Sequence, residues 1–227
     1  MKGAPTAMRS VVNTSMKPTA WWNSRITGLL LDRFEQIVIA GLYCWFVLRL
    51  FQHFTAGGAW VNLLMLPSEG LVLFFILIRR RSENVSRRWT DWVLAVCGSA
   101  APLLVVAAAG RNLAAPAVAG VLVIMGIFVQ VHAKLVLRRS FGCVAANRGL
   151  KSSGPYRFVR HPMYLGYLLS HIGFLLMNAT LWNLSVYVFC YCMQIPRIFA
   201  EERMLREDRQ YGEYSRRVPC RLVPGVF

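Results

Sequence analysis

The chain has 227 residues, 56% of them apolar, yet it carries a net charge of +16. A soluble domain of this length is usually about 45–50% apolar, so the composition points away from a soluble globular protein. The basic residues are parted by long apolar runs instead of being gathered on one polar domain. That argues against a nucleic-acid binder and for a multi-pass membrane protein with basic loops.

In chain order, residues 1–35 hold five Lys or Arg and no short apolar core followed by a small-residue cleavage site, so no signal peptide is expected. They read as a cytoplasmic segment with an interfacial stretch around Trp21–Leu31. Residues 36–136 carry four apolar runs, Gln36–Phe54, Trp60–Ile78, Trp92–Ala109 and Ala114–Val136. Two more lie within 137–227, at Pro162–Met177 and Leu181–Phe199, joined by "MNATLWN". Asn and Thr supply a turn there, which predicts a tight helical hairpin. A bilayer core needs roughly 20 apolar residues per helix, so the expected fold is an all-α transmembrane bundle of about six spans. The stretch Ala200–Arg217, rich in good helix formers, predicts a closing cytoplasmic helix.

Orientation follows from Lys and Arg. Alternate connections carry 24 of them against one on the other side. Basic loops stay in the cytoplasm, so both termini are expected there, with the bundle in the plasma (inner) membrane. The six cysteines, Cys44, Cys97, Cys143, Cys190, Cys192 and Cys220, form no CxxC pair, and neither a disulfide framework nor a metal site is expected.

Polar residues inside apolar runs are costly and face a bundle interior. Glu69, beside Pro67, reads either as a cavity-lining group or as a structural partner within the bundle. Tyr164, Tyr167, His171 and Asn178 recur at helical spacing, and so do Asn183, Tyr187, Tyr191, Gln194, Arg197 and Glu201. Two such stripes on neighbouring helices face the interior or each other.

The segment "GPYRFVRHPMYLGY" opens the fifth run. Pro162 starts a helix and leaves His161 just outside it. Unpaired first-turn N–H groups, the helix dipole, Arg157, Arg160 and His161 then meet at one end. The cluster suits an anion, or equally the heads of anionic lipids. Glu201 and Glu202 follow the sixth run by one turn, and Arg197 stands four residues before Glu201, a spacing that permits a pair. A hairpin brings this basic turn and acidic pair together at one membrane face, where they can hold a zwitterion.

Arg160-His161-Pro162-Met163-Tyr164-Leu165-Gly166, an apolar stretch and then Glu201-Glu202 resembles the RHPxYxG…EE signature of the isoprenylcysteine carboxyl methyltransferase family and its bacterial relatives. "GPYRFVRHP" before it and "YGEYSRRVP" after it are similar too. The resemblance runs from about Gly142 to Phe227 and makes residues 137–227 a methyltransferase core. It implies S-adenosylmethionine as cofactor, held by Arg160, His161, Tyr164, Glu201 and Glu202, with Gly166 letting the cofactor approach the backbone. It implies that Arg217 sits near the reacting centre. It also implies a lipophilic small-molecule or lipid acceptor, with membrane lipids as surroundings. No GxGxxG occurs, so a soluble nucleotide-binding methyltransferase fold is not expected. Membrane sterol reductases share the HP-x-Y-x-G turn and use NADPH; that reading and a non-catalytic lipid-binding protein stand as alternatives.

Overall fold

A computed structural model of the chain describes residues 18–55, 65–82, 84–106 and 113–227. Among them are seven α-helices: α1 (Pro18–Thr55), α2 (Met65–Ile78), α3 (Trp89–Ala100), α4 (Pro116–Leu137), α5 (Pro162–Met177), α6 (Leu181–Leu205) and α7 (Arg209–Arg217). Each expected apolar run overlaps one of the first six, the first as the second half of α1, which runs unbroken from the expected interfacial stretch; residues 60–64 and 107–109 of the second and third runs lie outside the described residues. The fifth coincides with α5 residue for residue, because Pro162 fixes its start and Asn178 ends it. The side chain of Glu69 lies outside the described residues, as does the detail of Trp21 and Trp22.

Only α4, extended by the 3-10 turn Arg138–Ser140, is both long and apolar enough among the described helices to cross a bilayer. The expectation of six spans thus has one clear case. At about 1.5 Å per residue, the 16 residues of α5 reach short of a hydrocarbon core, and α2 and α3 are shorter still at 14 and 12 residues.

The burial pattern is inverted relative to a soluble helix. On α4, Phe128 is 70% exposed and Ile124 62%, while Gln130 and Lys134 are buried. On α6, Val188 and Phe189 face outward, whereas Asn183, Gln194, Arg197 and Glu202 face inward. Water would reverse both preferences; a lipid surround stabilises them.

The hairpin turn between α5 and α6 forms as expected. Thr180 caps α6, its hydroxyl accepting from the Asn183 N–H at 3.1 Å. Asn183 then donates to Asn178 O at 2.8 Å and to Val106 O at 3.0 Å. Beyond the turn the two helices do not pack tightly: α5 lies chiefly against α4, and α6 against α3. Glycine explains the choice. A Cβ on Gly166 would stand 2.6 Å from the Gln130 nitrogen and 2.7 Å from Gly126 O, and one on Gly173 would stand 2.7 Å from Ala119 O. The backbones of α4 and α5 touch along this seam, which only small residues permit. Gly166→Val is expected to lower the thermal midpoint of the detergent-purified protein by the equivalent of about 1–3 kcal/mol, the usual cost of overpacking.

The space between α5 and α6 is filled by rings. His161, Tyr164, Tyr167, His171 and Tyr187 follow one another at centroid separations of 5.8, 6.4, 6.1 and 4.5 Å. His171 Nδ1 lies 3.0 Å from the Tyr191 hydroxyl. The two polar stripes therefore face each other through aromatic side chains instead of closing helix on helix.

The closing helix differs from the expected Ala200–Arg217. The helix of the sixth run continues to Leu205, turns at residues 206–208, and restarts as α7, capped by Asp208, which accepts from the Gln210 N–H at 2.9 Å. Asp favours such a cap over a helix interior.

Candidate functional site

The ends of α4, α5 and α6 meet the 140–151 loop and α7 around one pocket. Arg148, Lys151, Arg160, His161 and Glu201 supply its charge. Tyr156, Tyr164, Tyr211 and Tyr214 supply aromatic wall, and Leu137, Leu150 and Leu205 supply apolar wall.

Arg160 and His161 are placed by a local conflict and a distant strap. Pro162 keeps His161 out of helical geometry, leaving two backbone N–H groups without helical acceptors. They bond instead to the tail, Arg160 N to Cys220 O at 3.0 Å and His161 N to Arg221 O at 2.8 Å. Arg160 also donates through Nη2 to Pro219 O at 3.0 Å. The turn is thus held by the segment just after α7.

The two glutamates differ in role. Glu202 is 1% exposed and takes cations on both oxygens. Arg160 Nη1 lies 3.2 Å and His161 Nε2 3.4 Å from Oε1; Arg221 Nε lies 3.2 Å and Arg206 Nη2 3.6 Å from Oε2. Burial pushes its carboxyl up, but the His161 hydrogen bond and the charges of His161, Arg160 and Arg221 outweigh burial and hold it down to about 2. Glu201, one position on, points into the pocket and keeps 22% of its side chain exposed. Its Oε1 accepts from Tyr164 OH and lies 3.3 Å from Arg197 Nε; its Oε2 lies 3.7 Å from His161 Nδ1. Arg197 is itself buried, donating to Ser99 Oγ at 3.1 Å and lying 5.4 Å from the Tyr164 ring centre.

The structure therefore brings Arg160, His161, Tyr164, Glu201 and Glu202 together. Gly166 does not line the pocket: it lies in the α4–α5 seam, where its missing Cβ lets α4 approach. Arg217 ends α7 with an exposed side chain and does not line the pocket; the residues after it, through Leu222, carry the tail back to the cationic turn. Arg157 is exposed as well.

Sequence reasoning missed a buried ionic quartet. Asp32 and Glu35 on α1 meet Arg79 and Arg148, all with side chains at most 2% exposed. Arg148 Nη2 lies 2.8 Å from Asp32 and 2.9 Å from Glu35, and Arg79 lies 3.0 and 2.8 Å from the same two. Glu35 Oε1 also accepts from the Cys143 and Val144 N–H groups at 2.8 and 2.9 Å. Although burial raises it, the charges of Arg148 and Arg79 hold the Glu35 carboxyl below its ordinary range. Gly142 is needed here, since a Cβ would stand 2.2 Å from Arg148 Nη1. The quartet fixes the 142–148 loop, which lines the pocket. The three-residue spacing of Asp32 and Glu35, one helical face, was the available signal. A second tie joins Arg203 on α6 to buried Asp91 on α3.

Fold and site together define a helical, lipid-facing protein with a charged and aromatic pocket at the ends of its helices. Residues 112–213, which hold most of that pocket, match the family model described as phospholipid methyltransferase. A relative, the cobalt-zinc-cadmium resistance protein CzcN of Cupriavidus metallidurans, is 33% identical over 76 residues. The aligned stretch spans about a third of each protein, 33% of this chain and 35% of that one. Among the described residues, no three His, Cys, Asp or Glu side chains converge as metal ligands.

Proposed function

We propose that the chain is an integral-membrane methyltransferase that binds S-adenosylmethionine in this pocket and methylates a lipophilic acceptor at the cytoplasmic face of the plasma (inner) membrane. The observation that carries this is the meeting of the Arg160–His161 turn and the Glu201–Glu202 pair, 41 residues apart at Glu202 and His161, inside the family-matched segment.

The donor set fits the cofactor. It is a zwitterion joined to a sulfonium and a nucleoside, and the pocket offers cations, one partly exposed carboxylate and tyrosine faces, which favour cationic sulfur. When bound, S-adenosylmethionine supplies an electrophilic methyl group for in-line displacement. Such chemistry needs alignment and exclusion of water more than an acid or a base. In this reading Glu201 takes the ribose hydroxyls or the amino group. Arg197 and Tyr164 fix its rotamer so that little order is lost on binding. Glu202 holds Arg160 and His161 in place from behind. Leu137, Leu150 and Leu205 shed water from the walls. In this reading Arg217, exposed on α7, acts on the acceptor side, so Arg217→Ala is expected to leave donor binding unchanged.

S-adenosylhomocysteine is expected to raise the thermal midpoint of the detergent-purified protein, by about 2.7 kcal/mol of stabilisation at a hundred times its Kd. NADPH is expected to leave it unmoved. Stabilisation by NADPH alone would establish a reductase instead, and a response to neither would remove the enzyme reading.

A further inference from the structure

We propose that Lys151 is the residue that receives the carboxylate of the methyl donor, an inference that rests on the pocket reading above. It follows from pairing off the charges around the pocket. Four basic side chains line it: Arg148, Lys151, Arg160 and His161. Arg148 is committed to Asp32 and Glu35. Arg160 is committed to Glu202, and His161 lies against both Glu202 and Glu201. Glu201, the lining carboxylate, is matched by Arg197. Lys151 is left. Among the described residues no carboxylate lies within ion-pair distance of it.

Lys151 is also presented by built structure. Its segment is pinned on the N-terminal side by Arg148, whose guanidinium is in the quartet and whose carbonyl accepts from Ser140 Oγ at 3.0 Å. Gly149 turns the chain with φ +96°, a conformation that favours glycine. Leu150 then packs into the cluster of Tyr211, Tyr214 and Val218. Lys151 leaves this loop half-buried and on the pocket. A partly desolvated ammonium with no partner selects an anion. An amino-acid carboxylate is one source of that anion, and an anionic group on the acceptor is the other; only the first changes the affinity of a donor product in the absence of acceptor.

The test is calorimetric titration of the full chain in lipid nanodiscs with two probes, S-adenosylhomocysteine and 5′-methylthioadenosine, which keeps the nucleoside and the sulfur but has no carboxylate. Lys151→Gln is expected to weaken S-adenosylhomocysteine at least tenfold and to leave 5′-methylthioadenosine unchanged, with Lys151→Arg staying within about threefold of wild type, a charge-assisted pair being the interaction at stake. Unchanged S-adenosylhomocysteine binding by Lys151→Gln would overturn the proposal and leave the acceptor as the source of any anion. Equal weakening of both probes would also overturn it, by showing that Lys151 only shapes the pocket. Wild-type protein that binds neither probe would defeat the methyl-donor reading itself, a result separate from either.

Discussion

Glu202→Gln is expected to abolish S-adenosylhomocysteine binding and to cost the fold about 3 kcal/mol at neutral pH. The magnitude follows from the carboxyl's displacement from 4.5 to about 2, at about 1.36 kcal/mol per unit. The sign follows too. A carboxyl held low in the folded state stabilises it above the unfolded value, and that stabilisation fades as pH falls from about 4.5 toward 2. Wild-type protein should therefore lose stability through this acid window, whereas Glu202→Gln, already lacking the charge, should show a flatter profile. The effect on binding has a separate cause. Arg160, His161, Arg206 and Arg221 all lie on this one carboxylate, and an amide cannot offset their mutual repulsion. Thermal midpoints across pH, with and without S-adenosylhomocysteine, test both halves. A variant with wild-type affinity and an unaltered acid limb would remove Glu202 from the centre of the site.

Arg148→Met is expected to destabilise the protein by about 3–5 kcal/mol, the usual cost of stranding buried charge. Asp32 and Glu35 would be left with Arg79 alone, in a site whose side chains are at most 2% exposed. Removing all four charges together is expected to cost far less, because well-packed apolar groups often replace buried ion pairs without loss. The comparison separates stability from position. The fourfold apolar variant should fold and still bind S-adenosylhomocysteine poorly, since Cys143 and Val144 would lose the Glu35 oxygen that holds their amides. Denaturant titration and ligand titration of the two variants check this. Wild-type affinity in the fourfold variant would show that α1 is only an anchor.

Much of the architecture was legible. Apolar runs marked six helices, Pro162 marked the start of α5, and the Asn and Thr of "MNATLWN" marked the turn before α6, because these are local signals. The pairing of helices was not local. Consecutive apolar helices suggest a closed hairpin, and the glycines at 166 and 173 that send α5 to α4 look in sequence like sites of flexibility or ligand approach. The continuous terminal helix failed at Asp208 for a similar reason: propensity averaged over Ala200–Arg217 hid one strong capping residue.

At the site, the basic turn and the acidic pair were readable as residue types, but the division of labour between Glu201 and Glu202 was not. Adjacent positions differ by about 100° around a helix, and only the neighbours decide which side chain faces the pocket. The quartet escaped for the opposite reason. Asp32 and Arg148 are 116 residues apart, and no periodicity encodes a pairing at that distance.

The strap that ties Arg160 and His161 to Cys220 and Arg221 has a consequence for biosynthesis. Arg160 Nη2 and its acceptor Pro219 are 59 residues apart in the chain, and ribosomes add about 5–20 residues per second. The cationic turn must therefore wait roughly 3–12 seconds after its own synthesis before its acceptors exist. Until then α5 has a ragged start, and Glu202 has already emerged with only part of its final company. Nascent protein should thus pass through a stage in which its helices are made but the cationic turn is unstrapped, the pocket being completed only once residues 219–221 have been translated.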